Sequence, residues 1–191
     1  LLSGGLLVAL LLFLLLRQLR NMRRISALAL TDTLTGVANR RHIETAAGDA
    51  VAQARITGEP LAVLTFDLDW FKRINDGHGH AGGDQVLVRV ARACESVLRS
   101  NDLLGRIGGE EFVVLLPNTP EEGAATVAER LRECVARIDL SDIAAGLNVT
   151  ISLGLAMLRP QDDGLHDVID RADAALYRAK DAGRNRVEAV A

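Results

Sequence analysis

Hydrophobic positions are spaced along this chain in ways that change abruptly from segment to segment, and each spacing predicts an element. Residues 1–16, LLSGGLLVALLLFLLL, carry no charge, and ten of them are leucine. A helix of that length spans about 24 Å against about 30 Å of hydrocarbon. It is predicted to be the C-terminal part of a transmembrane helix. The chain starts at Leu1 rather than Met, and the rest of the span is expected upstream. A signal peptide would carry its basic residues before the apolar run; here RQLRNMRR comes after it. Residues 17–30 continue as a juxtamembrane connecting helix, with Leu19, Met22, Ile25 and Ala29 as a rough apolar stripe suited to pairing with a copy of itself.

From residue 31 onward the rhythm is that of one folded domain, residues 31–191. Turn formers in 31–41 give way to a helix from about Arg40 to Ile56, stopped by Gly58-Glu59-Pro60. The unbroken run LAVLTFD (61–67) predicts a strand buried on both faces. Val86, Leu87, Val90, Ala91, Cys94, Val97 and Leu98 recur at helical spacing over 83–99. LLGRI and FVVLLP flank GGEE (108–111) as a hairpin. Thr119-Pro120-Glu121-Glu122 predicts a capped helix start, with the helix running to about Ile138. Residues 147–158 alternate as a strand, 166–181 form a last helix, and 186–190 a closing strand. The fold class is α/β, an α+β sandwich: a central, mostly antiparallel sheet flanked by helices.

Charge sharpens the division. Residues 1–30 hold four arginines and no acid, a net of +4; the remainder holds 18 of the 22 basic and all 25 acidic side chains, a net of −7. Arginines that follow a span mark its cytoplasmic side. The expected location is the inner (cytoplasmic) membrane of a bacterium, with the catalytic part in the cytoplasm. An acidic domain with 3% aromatics excludes nucleic acid as a partner. Cys94 and Cys134 sit in apolar helical patterns and read as small hydrophobes.

Candidate chemistry gathers at two chain reversals. Asp67 ends the buried strand, Asp69 follows it, and Glu110 and Glu111 occupy the hairpin tip. Acids at a buried strand end are expensive unless a cation compensates them. If the tip lies beside that strand end, up to four carboxylates converge as hard oxygen ligands for Mg²⁺. In DLDWFKRINDGHGHAGGD (67–84), N–H groups beside Trp70 and Phe71, with Lys72, suit phosphate. Glycines at 77, 79, 82 and 83 permit close backbone approach, and Asn75 and Asp84 can read a purine edge. His78 and His80 form an HxH without a third soft ligand, which suits a turn or cap rather than zinc.

These stretches, DTLTGVANRR (32–41), DLDWFKRINDGHGHAGGD and GGEEF (108–112), resemble the GGDEF family of diguanylate cyclases over about residues 31–190. The resemblance implies a fold like the nucleotidyl cyclase and polymerase palm, and a homodimer that joins two GTP into cyclic di-GMP with release of pyrophosphate. It implies that Asp67, the Leu68 carbonyl and Glu110 hold Mg²⁺ or Mn²⁺, with Glu111 a further ligand or the base on the 3′-hydroxyl. Asn75 and Asp84 are implied in guanine binding. Lys72, with Lys180 and Arg184 from YRAKDAGRN (177–185), is implied in phosphate binding, and Gly108 and Gly109 in letting the hairpin pass close to the nucleotide. Arg99 and Asp102 form an RxxD separated from Gly108 by five residues, resembling the family's inhibitory product site, and Arg130 would contribute from a second surface. Glu110 stands where the family name has Asp, Thr33 where Pro is frequent, and Trp70 at a variable position. The alternative is a non-catalytic module that binds GTP or cyclic di-GMP. Such modules usually lose the hairpin acids, which are intact here; an acceptor at Asp84 also speaks against an adenine-containing product.

Overall fold

The computed structural model describes residues 30–190. The expected membrane span 1–16 and nearly all of the connecting helix 17–30 lie outside them. Among the described residues, no helix is long and apolar enough to cross a membrane.

The elements follow in the order β1 (Ala38–Asn39), α1 (Arg40–Thr57), β2 (Leu61–Leu68), α2 (Phe71–Val97), β3 (Leu103–Gly108), β4 (Glu111–Pro117), α3 (Glu121–Ala136), β5 (Ile151–Met157), α4 (Leu165–Asp181) and β6 (Val187–Val190). They form one sheet ordered β1-β3-β4-β2-β5-β6. The three inner pairings are antiparallel, while β1 joins β3 and β6 joins β5 in parallel. This is the helix-flanked, mostly antiparallel sheet that the sequence predicts.

Strand β2 reads as continuously apolar because both its faces are covered. Ala62, Leu64, Phe66 and Leu68 pack with residues of α2 and α3, whereas Val63 packs with residues of α1 and α4. Full burial of one such larger side chain contributes about 1.5–3 kcal/mol. Phe66 lies opposite Phe112 in the β2–β4 register, and their rings stack 5.0 Å apart at 5°. The two cysteines are free thiols: Cys94 is buried on α2, and Cys134 on α3 contacts the Ala93 carbonyl.

Three expectations are corrected. The helix expected over 83–99 begins at Phe71 instead and bends at Gly79, whose φ of 70° and ψ of 170° are not helical. Its first leg is polar and glycine-containing, and burial of Phe71 and Ile74 holds it helical where propensity does not. Thr119 does not cap α3: its hydroxyl donates to the Pro117 carbonyl, and Pro120 takes the cap position. The strand expected from 147 starts at Ile151.

Helix α4 packs closely on β5 at Gly154, where a Cβ would stand 1.9 Å from the Ala172 carbonyl oxygen. Gly154→Ala is expected to lower unfolding free energy by about 1–3 kcal/mol or more. Gly48, on the exposed side of α1, has open space where an added methyl would stand, so Gly48→Ala should raise stability by about 0.5–1 kcal/mol. Urea titrations of the two variants check both signs.

Candidate active site

The antiparallel register of β2 and β4 puts Asp67 directly opposite Glu111. Residues so paired share one face of the sheet with Cβ atoms about 5 Å apart, and like charges there are destabilising. The face is the one covered by α1 and α4. Asp67 is 8% exposed, and its Oδ2 meets Lys180 Nζ of α4 at 3.0 Å. Burial pushes the Asp67 carboxyl above its ordinary range; Lys180 pulls it back, and Glu110 and Glu111 push it further up. Lys180, expected on phosphate, is therefore the counter-ion of Asp67 in this structure.

Glu110 sits with Gly109 in the two-residue turn between β3 and β4. Gly109 has φ of 46°, a left-handed value that the first position of so tight a hairpin asks of glycine. Gly108 is exposed, with open space around its Cα. Arg106 of β3 steadies the tip: its Nε donates to the Gly109 carbonyl at 2.8 Å, and its Nη1 pairs with Asp32 at 3.1 Å. Arg40 donates to the Ile107 carbonyl at 3.1 Å. Sequence reading does not single out these supports, although Asp32 and Arg40 lie in the stretch that carries the resemblance.

Asp69 does not join the cluster as the sequence suggested. Its Oδ1 accepts from the Ser152 hydroxyl at 2.7 Å; its Oδ2 accepts from the Thr150 hydroxyl at 2.6 Å and the Asn185 amide at 3.0 Å. Asp69 therefore ties β2 to β5 and to the turn after α4. Among the described residues, no three His, Cys, Asp or Glu side chains stand together in a ready-made metal cage. Asp67, Glu110 and Glu111 nonetheless offer hard oxygen donors in mutual repulsion, which fits a hard divalent cation that also keeps water and phosphate ligands. The Leu68 side chain is buried in the core, so any role falls to its carbonyl.

One residue that sequence reading passes over lies beside these acids. Asp173 of α4 lines a hollow with Thr65, Glu111, Tyr177 and Lys180. Burial raises its carboxyl above the ordinary range, the Thr65 hydroxyl and Lys180 oppose this, and Glu111 and Asp170 add to it. Its seven-residue spacing from Lys180, along one border of the buried stripe of α4, is the available signal.

On the opposite side of the β2 end, α2 supplies the nucleotide candidates. Phe71 is buried, so only its backbone can face a ligand, and Lys72 is exposed in the first turn. Asn75 is held over Gly83: a Cβ there would stand 2.0 Å from Asn75 Oδ1. Asp84 lines a shallow hollow with Leu34, Gln85, Val88, Arg89 and Arg92. His78 and His80 are exposed on either side of the Gly79 bend. Arg184 stacks on Trp70, its Cζ 3.9 Å from the ring centroid. At the far end of α2, Asp102 Oδ2 accepts from the Arg99 amide at 2.8 Å. Arg130 of α3 donates to the Val97 carbonyl at 2.7 Å. This ties Arg130 to the end of α2, two residues before Arg99.

A family model described as diguanylate cyclase, GGDEF domain, matches residues 29–186. The chain is 39% identical over 169 residues to the probable diguanylate cyclase DgcC of Escherichia coli, covering 88% of this chain and 45% of that one. It is 42% identical over 163 residues to the response regulator PleD of Caulobacter vibrioides, covering 84% and 36%. It thus spans less than half the length of these curated relatives. Among solved structures, the GGDEF domain of DgcB from Caulobacter crescentus in complex with c-di-GMP superposes with a TM-score of 0.80 at 37% identity, covering 84% of this chain and 95% of that one. With the motif stretches, the superposed fold and the matched family model in agreement, this chain belongs to the GGDEF-domain family of diguanylate cyclases.

Proposed function

We propose that this chain condenses two GTP molecules into cyclic di-GMP with release of pyrophosphate. The observation that carries the reading is the pairing of Asp67 with Glu111 across neighbouring strands, beside a glycine turn bearing Glu110. Two carboxylates held together at the end of a buried strand, with Lys180 on one of them, offer a place for further positive charge. A bound divalent ion, Mg²⁺ or Mn²⁺, would lower the pKa of the attacking 3′-hydroxyl and steady the pyrophosphate. Asp67, the Leu68 carbonyl, Glu110 and Glu111 would hold it. Lys180, now on Asp67, is then free to turn to the triphosphate.

Asn75 and Asp84 accept from and complement the guanine edge, and a carboxylate at 84 repels adenine N1. Lys72 and Arg184 meet the phosphates. Glu111 holds the metal or takes the hydroxyl proton, and Gly108 and Gly109 leave the backbone open to the nucleotide. Each copy supplies one GTP and one set of acids, so two copies face each other antiparallel to close the ring. Arg99, Asp102 and Arg130 form a product-binding surface: arginine pairs with phosphate or stacks on guanine, and Asp102 accepts from it. The run 1–16 and the arginines behind it support a membrane anchor with the catalytic domain on the cytoplasmic side.

With GTP and Mg²⁺ at high protein concentration, the chain should release cyclic di-GMP, read by chromatography; absence of product refutes the reading. Glu111→Ala should lower turnover by about a hundredfold or more while a non-hydrolysable GTP analogue still binds. Arg99→Ala should raise the product concentration needed for half-inhibition by about tenfold; an unchanged inhibition curve removes that site from the account.

A further inference from the structure

Trp70 is the only tryptophan of the chain, and neither the fold nor the proposed chemistry explains its position. Its φ of 60° and ψ of 25° are left-handed, an outlier for a bulky side chain, and its indole is 50% exposed. Across from it stand two more left-handed residues, Arg184 with φ of 65° and Asn185 with φ of 46°. The bond from the Asn185 amide to Asp69 fastens the two unusual segments together. On that frame Arg184 Cζ lies 3.9 Å from the Trp70 ring centroid, and Arg73 Cζ lies 4.1 Å from it.

Among the described residues, neither guanidinium makes an ion pair or a side-chain hydrogen bond. A guanidinium that stacks uses its face, while its N–H donors lie in its plane and point outward. The indole therefore holds both arginines without consuming a donor. Two like charges beside one ring repel each other, and a polyanion against their edges removes that repulsion. Trp70 also occupies the N-cap of α2, where no side chain caps the first turn and Lys72 is exposed. Peptide N–H groups at such an end favour an anion. The stacked cations, a helix start without a side-chain cap and Lys72 thus lie at one chain reversal.

We propose that Trp70 is a positioning residue for the triphosphate, holding Arg184 and Arg73 by their faces with their donor edges turned toward a polyphosphate. The proposal rests on the GTP reading above and adds to it a residue that touches no reacting atom. Stacking before the nucleotide arrives removes side-chain freedom that two long arginines would otherwise lose on binding.

The test uses the full chain with two substitutions. Trp70→Asn removes the ring, and asparagine tolerates the left-handed backbone, so the fold is kept; circular dichroism checks this. Trp70→Phe keeps an aromatic face. Trp70→Asn should weaken binding of a non-hydrolysable GTP analogue by about three- to tenfold, the range that cation–π contacts at half-exposed sites imply. GMP binding should change by less than about twofold. KM for GTP should rise with the analogue's Kd, far more than kcat falls, and Trp70→Phe should recover most of the loss. Unchanged analogue affinity in Trp70→Asn overturns the proposal. Equal losses for the analogue and GMP overturn it, as does Trp70→Phe binding no better than Trp70→Asn. Wild-type chain that binds the analogue but makes no cyclic di-GMP would refute the cyclase reading, while the binding comparison still decides the role of Trp70.

Discussion

One register between two strands governs this molecule. Phe66 and Phe112 are cross-strand partners on the face covered by α2 and α3, and their stacked rings are completely buried. The next pair along, on the other face, is Asp67 and Glu111. A slip of one residue would carry Glu111 into the core and Phe112 out of it. Core packing therefore enforces the approach of two carboxylates that would separate if free to do so. Lys180 offsets part of the repulsion from α4, and Arg106 and Arg40 keep the hairpin from swinging away. The acids are tolerated because the rest of the sheet leaves them no alternative.

A second frame meets the first at the end of β2. Asp69 binds β5 through Ser152 and Thr150 and the turn after α4 through Asn185, and the chain then reverses through left-handed Trp70 into α2. Three consecutive residues thus do different work: Asp67 faces the acids, Leu68 fills the core, and Asp69 fastens the turn that presents Arg184. Gly79 bends α2 so that its two legs meet, and Gly83 leaves the space into which Asn75 fits. The guanine and phosphate candidates are therefore set by backbone geometry on one side of the strand end, and the metal candidates by strand register on the other.

Much of this is legible in sequence, for identifiable reasons. The buried strand 61–67 and the hairpin show because apolar runs and a glycine turn are local signals, and the acids stand out because they interrupt those runs. The first leg of α2 is not legible: FKRINDGH is polar, and its helix depends on Phe71 and Ile74 finding the core. Strand β1, two residues long, carries no periodicity. Spacing groups Asp69 with Asp67, because spacing cannot tell a ligand from an acid whose oxygens are satisfied 81 and more residues away. Asp173 escapes because an acid on an amphipathic helix normally marks the wet side, and only the folded arrangement places it beside Glu111.

The fold holds the Asp67 charge at a cost. Burial raises its carboxyl above the ordinary range. A raised folded-state pKa means that the charge destabilises the fold fully at pH values above that raised pKa, and that the cost fades as pH falls through it toward the unfolded value. Urea denaturation of Asp67→Asn beside wild type, in metal-free buffer at pH 7 and again near the ordinary carboxylate pKa, tests this most directly. The expected result is a more stable variant at pH 7, with the gap narrowing in acid. A variant less stable than wild type at pH 7, or a gap unchanged by pH, would show that the Asp67 charge carries no such cost.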